Sequence, residues 1–316
     1  MFNNSIYDAL LRFEEENIPF PPFASALEII EAQLSQFRKI GVPQNLLVLG
    51  ESGTGKSTLC RYLTHKYKRI VLPERDVVPV IYVAVPAGAT ISSVASEILL
   101  ALGDPAPDRG TVPAKTHRVI TLCRACGVEL LLVDEAQHMH DRGQVATHYM
   151  VGDWLKQLID QLQIPTVFLG LPNLEQLLQV NEQLRRRFSR RLYLALGRSD
   201  TTSIETECLQ LFISLAACLP VPLAYGDLKP EDLGARLSFA SDGRVAYIKK
   251  ILQSALIQVL HDGDTAISPY DLEQAFSRDV WSEGIGSLNP FNAAFVFRKL
   301  DRKGEPFEKG ALRGRK

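Results

Sequence analysis

No apolar run in this chain approaches the roughly 18 residues that a membrane-crossing helix needs, so the sequence offers no membrane span. The opening Met1-Phe2-Asn3-Asn4 lacks the basic-then-apolar layout of a secretory signal. Cysteine is sparse: five residues, odd in number and scattered, the pattern of reduced thiols in a cytoplasmic protein rather than of a disulfide framework. One pair, Cys123-Arg124-Ala125-Cys126, has CxxC spacing, but no second pair follows it, and a structural zinc takes four ligands. Net charge is missing too. The 35 Lys+Arg against 36 Asp+Glu leave −1, so overall charge points to no nucleic-acid partner and any DNA contact has to come from a local patch. Internal repeats and long low-complexity stretches are absent.

What remains is ordinary for a folded chain: 316 residues, 46% hydrophobic and 22% charged. That length buries a real core and suits one large domain with a smaller appendage.

One stretch organises the rest: Gly50-Glu51-Ser52-Gly53-Thr54-Gly55-Lys56-Ser57, followed by Thr58. The apolar run Leu46–Leu49 ahead of it reads as a buried strand, and a helical pattern follows from Thr58. Strand, glycine-rich loop and helix is the context in which GxxxxGK[ST] binds phosphate. The glycines let backbone N–H groups curl around phosphates, and the helix N-terminus adds its positive dipole end. Lys56 is then expected at the β- and γ-phosphates of ATP, with the Ser57 hydroxyl on Mg²⁺.

The second anchor is Glu129-Leu130-Leu131-Leu132-Val133-Asp134-Glu135, an apolar strand ending in two carboxylates. Such a pair is either a solvated strand end or a Walker B motif. With Lys56 upstream on the same presumed sheet, Asp134 is expected to hold Mg²⁺ and Glu135 to polarise the attacking water.

Around these anchors the chain alternates strands and helices, as a parallel sheet flanked by helices requires. Ser5 to Asn17 suits a short amphipathic helix. Ile18-Pro19-Phe20-Pro21-Pro22-Phe23 is expected to be non-helical, because three prolines remove donors and fix φ. This apolar elbow, Phe20 included, reads either as a wall for the adenine ring or as a plain turn. A helix is expected over Ala24–Ile40, a strand over Val78–Val85, and helices over Thr90–Gly103, about Pro113–Cys126 and about His148–Leu162. Ile164–Leu171 reads as a strand ending in the polar turn Pro172-Asn173, and Leu174–Val180 as a helix. Residues 185–191 hold five arginines, a solvated basic face or a phosphate-binding surface, and Leu192–Leu196 reads as a fifth strand. After Thr206 only helices are expected: Glu207–Leu219, Pro230–Phe239, Arg244–Leu260 and Pro269–Val280. From Arg298 the chain carries eight Lys/Arg against three Asp/Glu, which suits an acidic partner or DNA, or simple solvation.

Order and spacing now resemble the AAA+ ATPases, over about residues 18–290, and in particular the TniB/TnsC group of transposition regulators. The resemblance rests on the entry Ile18-Pro19-Phe20-Pro21, the block Asn45–Ser57, the stretch Leu132-Val133-Asp134-Glu135-Ala136-Gln137-His138, the segment Arg185-Arg186-Arg187-Phe188 and the late Asn289-Pro290-Phe291. It implies an α/β AAA+ P-loop NTPase with a small C-terminal helical lid. The implied segments are 1–44 (N-terminal helices and elbow), 45–200 (nucleotide-binding), 201–283 (lid) and 284–316 (basic tail). It further implies a prokaryotic protein that uses ATP and Mg²⁺, forms rings or helical filaments on double-stranded DNA, links a TniQ-type adaptor to a DDE transposase, and is disassembled by hydrolysis. Carried over by residue, Asn173 is the polar group that senses the γ-phosphate. Arg187 is the arginine finger reaching a neighbour's nucleotide, with Arg186 and Arg185 as alternates. The implied DNA-binding residues are Arg109, Thr111, Lys115 and Arg118, contacting backbone phosphates with little base readout.

One departure stands out. The group's lid pattern wants Gly-x-x-Arg near Gly243, where this chain has Gly243-Arg244-Val245-Ala246, so Arg244 or Lys249 is left to substitute. Two other readings stay open: a replication-initiator or helicase-loader ATPase, against which the want of an evident helix-turn-helix after residue 290 argues mildly, and a STAND-type signalling NTPase.

Overall fold

Leu46–Leu49, Leu130–Asp134 and Thr166–Gly170 are buried at every position, as strands of a parallel sheet are when helices cover both faces. They form the middle of the sheet in a computed structural model, which describes residues 10–11, 13–14, 18–139, 145–180, 182–198, 202–226 and 228–308. The described residues fall into two compact units, Phe23–Leu194 and Met1–Pro22 with Ala195–Lys316.

In the first unit the order is α1 (Pro21–Ile40), β1 (Leu46–Leu49), α2 (Lys56–Lys66), β2 (Ile70–Val71), β3 (Asp76–Val77), β4 (Val80–Ala84), α3 (Ile91–Leu102), α4 (Val112–Ala125), β5 (Leu130–Asp134), a 3₁₀ turn (Ala136–Met139), α5 (Val145–Leu162), β6 (Thr166–Gly170), α6 (Leu174–Val180), α7 (Glu182–Arg187) and β7 (Arg190–Tyr193). The five-stranded sheet runs β4-β5-β6-β1-β7, and every neighbouring pair is parallel. β1 therefore lies between β6 and β7, with Leu49 opposite Gly170 and Tyr193. In open parallel sheets ligands bind beyond the carboxyl ends of the strands, and here the loops after β1, β5 and β6 open at that edge.

Local signals explain most boundaries. Thr90 caps α3 in a reciprocal box with Ser93, and Gly103 closes it at φ 86°, as expected. The proline elbow is a correction: Pro21, Pro22 and Phe23 are helical. A first-turn N–H has no intrahelical acceptor, so proline loses nothing there. The expected helix over 5–17 lies mostly outside the described residues. The last strand begins two residues earlier than expected, placing Arg190 and Arg191 beside Leu46 and Leu47; an edge strand tolerates such charges. The hairpin of β2 and β3 had no sequence signal, since two-residue strands carry no period.

Phe188 is fully buried and stacks on Phe168 of β6, centroids 4.3 Å apart and rings inclined by 17°. It pins the arginine segment to the sheet.

The second unit contains α8 (Ile204–Ala216), α9 (Pro230–Ser241), α10 (Val245–Asp262) and α11 (Pro269–Asp279), around Phe212, Leu237, Ile251, Leu252 and Phe276. Asn289 is fully buried and its amide donates to the carbonyls of Glu273 and Gly284 and to Ser277 Oγ, at 2.9–3.0 Å. Arg236 donates to the carbonyls of Pro290 and Asn292. The Asn-Pro-Phe sequence is thus a structural staple. In the basic segment, up to residue 308, Leu300 and Phe307 are buried and Arg298 is bonded to Glu305. Among the described residues no helix is long and apolar enough to cross a membrane.

Candidate functional site

The loop after β1 has the backbone its glycines permit. Gly53 and Gly55 sit at φ 81° and 95°, a region that costs other residues roughly 1–2 kcal/mol. Gly55 is the N-cap of α2, and no side chain caps that helix. Its first-turn N–H groups accordingly face the loop cradle with the dipole's positive end behind them. Lys56 is nearly buried, and its ammonium donates to the carbonyls of Gly50 at 2.8 Å and Glu51 at 2.9 Å. Burial lowers its pKa; the carboxylates of Glu135, Asp134 and Glu51 oppose that shift. A desolvated ammonium with three donors and two loop carbonyls is suited to an incoming anion. Thr54 is buried and donates to the Glu51 carbonyl at 2.9 Å, which braces the loop. Glu51 and Ser52 are exposed.

β5 delivers its two carboxylates to this loop. Asp134 is fully buried and accepts from Ser57 Oγ at 2.5 Å, from its neighbour's N–H (Glu135) at 2.8 Å, and from Tyr82 of β4 at 3.4 Å. Burial, and then the Asp134 charge, push the Tyr82 hydroxyl up to about 12. A hydroxyl and a buried carboxylate facing one another across a phosphate loop are hard oxygen donors of the kind Mg²⁺ takes. The residue set therefore fits the ion. Tyr82 was not singled out from the sequence; a lone phenol in the apolar run Val80–Ala84 was the available signal.

Glu135 turns the chain sharply, at φ 53°, in the left-handed region where few non-glycine residues sit. Its carboxylate is half-buried, accepts from the Gln137 amide, and lies 3.7 Å from His138. Gln137 enters the sequence reading only as one letter of the resemblance, with no role of its own. Asn173 is exposed in the turn between β6 and α6.

The remaining expected residues divide. Arg187 forms a two-point ion pair with Asp160 of α5, at 2.8 Å on both oxygens, and also donates to the Gln183 carbonyl. Arg186 pairs with Glu182 at 2.6 Å, and Arg185 is exposed. Lys115 is buried. Although expected to face DNA, it is 4% exposed and donates to Ser96 at 2.8 Å and Ser92 at 3.0 Å; it cross-links α4 to α3 from inside. Arg118 binds Asp104 at 2.9 Å and the carbonyls of Arg109 and Ala106 at 2.8 Å, so it shapes the preceding loop. Arg109 and Thr111 are exposed.

In the helical unit, Phe20 is buried. Arg244 is held over Tyr247 and Phe307 and pairs with Asp242 at 3.5 Å. Lys249 donates to the Glu14 carbonyl at 2.6 Å. Both candidate substitutes for the lid arginine are thus engaged within their own unit. Cys123 and Cys126 are buried free thiols, and burial pushes Cys123 up to about 12, which leaves it inert. Among the described residues no group of three or more His, Cys, Asp or Glu is placed to hold a metal ion.

The sequence profile described as "Bacterial TniB protein" matches residues 12–194. No curated protein matches the chain. Among solved structures it is similar to Cdc6p from Pyrobaculum aerophilum, at 16% identity and TM-score 0.61 over 87% of this chain and 70% of that one. It is similar to ORC1 of Aeropyrum pernix, solved with DNA, at 16% identity and TM-score 0.62 over 84% and 67%. ORC2 of Aeropyrum pernix, in ADPNP–ADP complexes, gives 16% and 0.60 over 84% and 71%. At such identity the likeness is one of fold.

Proposed function

This chain belongs to the bacterial TniB family and has the AAA+ fold, and from that premise we propose that it is an ATP-hydrolysing switch that assembles on double-stranded DNA during transposition. The observation that carries the reading is the meeting of the phosphate loop with the β5 carboxylates, in particular Ser57 on Asp134 at 2.5 Å. In this reading the loop N–H groups from Gly50 to Thr58 cradle the phosphates of ATP, and Lys56 binds its terminal oxygens. Ser57 and Asp134 hold Mg²⁺, which when bound draws charge from the phosphate oxygens. Glu135 accepts a proton from water as the water oxygen bonds to the γ-phosphorus and the bond to the β–γ bridging oxygen breaks, releasing ADP and phosphate. Asn173 senses the γ-phosphate from the β6 turn.

An arginine finger works on a neighbour's nucleotide, so the reading requires a homo-oligomer, a ring or a helical filament. Arg187 serves that role after release from Asp160, with Arg186 and Arg185 as alternates. The exposed Arg109 and Thr111 contact DNA phosphates, and Arg118 presents their loop. The assembly then links a TniQ-type adaptor to a DDE transposase and comes apart on hydrolysis.

Negative-stain imaging with duplex DNA, in ATP or a slowly hydrolysed analogue and in ADP, tests this. Rings or filaments only with DNA and the triphosphate support it; a monodisperse monomer throughout sinks it. The likeness to Cdc6 and ORC1 favours a replication-initiator or helicase-loader role as the second reading. Binding assays against a DDE transposase and a TniQ-type adaptor, beside a replicative helicase, separate the two.

A further inference from the structure

Directly after Glu135, the 3₁₀ turn Ala136–Met139 folds Gln137 back into the core, where it is 2% exposed. A polar side chain buried so completely is expensive unless both ends of its amide are satisfied. Both are. Gln137 Nε2 donates to Glu135 Oε2, and Gln137 Oε1 accepts from the Leu171 N–H at 3.1 Å. The orientation is forced, because a carboxylate only accepts and a backbone N–H only donates.

The strand end facing this amide is shaped to receive it. A Cβ on Gly170 would lie 2.5 Å from Gln137 Oε1, so only glycine lets the amide approach. The Gly170 carbonyl in turn accepts from the Gly50 N–H at 3.0 Å. One carboxamide thus joins the carboxylate after β5 to the strand end that precedes Asn173 and flanks the start of the phosphate loop.

The geometry points to Gln137 as a positioning residue for hydrolysis: its amide holds one oxygen of Glu135, leaves the other for water, and ties that carboxylate to the Leu171–Asn173 turn. This rests on the reading of Glu135 as the general base. Glu135 sits at a left-handed φ that its own side chain does not favour, so an external tether has a task. A displacement of the turn by a bound γ-phosphate would reach Glu135 through a single side chain.

The test is Gln137→Glu, which keeps the volume and the acceptor for Leu171 but removes the donor to Glu135. Steady-state hydrolysis with DNA, binding of a fluorescent ATP analogue, and Glu135→Gln alone and combined with Gln137→Glu complete the set. The expected result is a kcat about tenfold or more below wild type, the scale on which misorienting a catalytic group acts, with ATP affinity within about threefold. The double variant should be no slower than Glu135→Gln alone, since residues acting as a unit do not add. A folded Gln137→Glu with unchanged kcat, a parallel loss of ATP affinity, or a full multiplicative loss on top of Glu135→Gln would each overturn the proposal. Should Gln137→Glu melt early, Gln137→Met, which removes both hydrogen bonds at near-equal volume, is read against the same kcat and ATP-affinity expectations. If Glu135→Gln itself hydrolyses normally, the base assignment falls and this proposal with it; if only Gln137→Glu is silent, the base stands and the tether falls.

Discussion

Ser57 on the phosphate-loop helix and Asp134 at the end of β5 are 77 residues apart in sequence and joined by a 2.5 Å hydrogen bond. Asp134 is fully buried, so the bond is charge-assisted and poorly screened. Ser57→Ala is expected to cost about 1–2 kcal/mol of stability. It should also weaken Mg²⁺-dependent ATP binding at least about tenfold, as loss of even an outer partner of a metal does. Thermal melts and nucleotide titration with and without Mg²⁺ measure both; equal affinity in the two conditions for wild type would remove the metal role.

Glu135→Gln keeps the volume and removes the proton acceptor. ATP binding should persist, hydrolysis should drop by about 10²-fold or more, and DNA-bound assemblies should outlive those of wild type. Loss of nucleotide binding in this variant would contradict the role given to Glu135.

Lys115 and Arg109 were grouped by sequence and are separated by burial. Lys115→Ala removes the buried stem and the donor to Ser92 and Ser96, and should destabilise by about 2 kcal/mol while leaving the salt dependence of DNA binding unchanged. Arg109→Ala should leave stability within about 0.5 kcal/mol and reduce the slope of log K against log salt by about 1. A reduced slope for Lys115→Ala at full stability would reverse the assignment.

Arg187 and Asp160 are both partly exposed, at 28% and 43%, so their pair is worth no more than about 1 kcal/mol. Arg187→Ala should therefore melt near wild type yet lose hydrolysis in the assembled state. Mixed with Lys56→Ala, it should recover part of the activity, because the lysine variant lends its arginine to the other's nucleotide. No recovery in mixtures, with Arg185→Ala inactive instead, would move the finger to Arg185.

The Arg298–Glu305 clip sets an acid limit on the C-terminal segment. Bonding from Arg298, and then from the Arg302 N–H, holds the Glu305 carboxyl below the usual glutamate range despite some opposing burial. A carboxyl lowered in the folded state stabilises above its unfolded value and loses that contribution as pH falls through the folded one. Hydrogen-exchange protection factors over residues 298–308 should fall as pH drops below the ordinary glutamate range, and Glu305→Gln should show low protection at neutral pH with no such acid step. Protection unaltered by Glu305→Gln would show that Leu300 and Phe307 hold the segment alone.

The sequence by itself determined the glycine-rich loop between strand and helix, the carboxylate pair at a strand end, and the alternation of the main strands and helices. Those signals lie in contiguous residues: glycines that permit positive φ at 53 and 55, four- and five-residue apolar runs and the Gly103 stop. Their physics is local, so the chain displays it before folding. Tertiary structure alone decided what each side chain meets. Nothing near Lys115 in sequence says that Ser92 and Ser96 wait on the preceding helix, or that Asp160 comes to Arg187 from 27 residues away. Gln137 read as one letter of a family pattern; only the pairing of β5 with β6 put Leu171 and Glu135 at opposite ends of its amide. The Asn289–Phe291 stretch reads as a motif and the chain from Arg298 as a basic segment for an acidic partner, DNA or solvent; the contacts of Asn289 and of Arg298 with Glu305 are legible only in the fold, because buried polar groups take partners wherever the chain supplies them. Proline at 21 and 22 was misread for a related reason. The residue forbids a helix interior but suits a first turn, and the position of that turn was set by Phe23 and Ile30 finding the core.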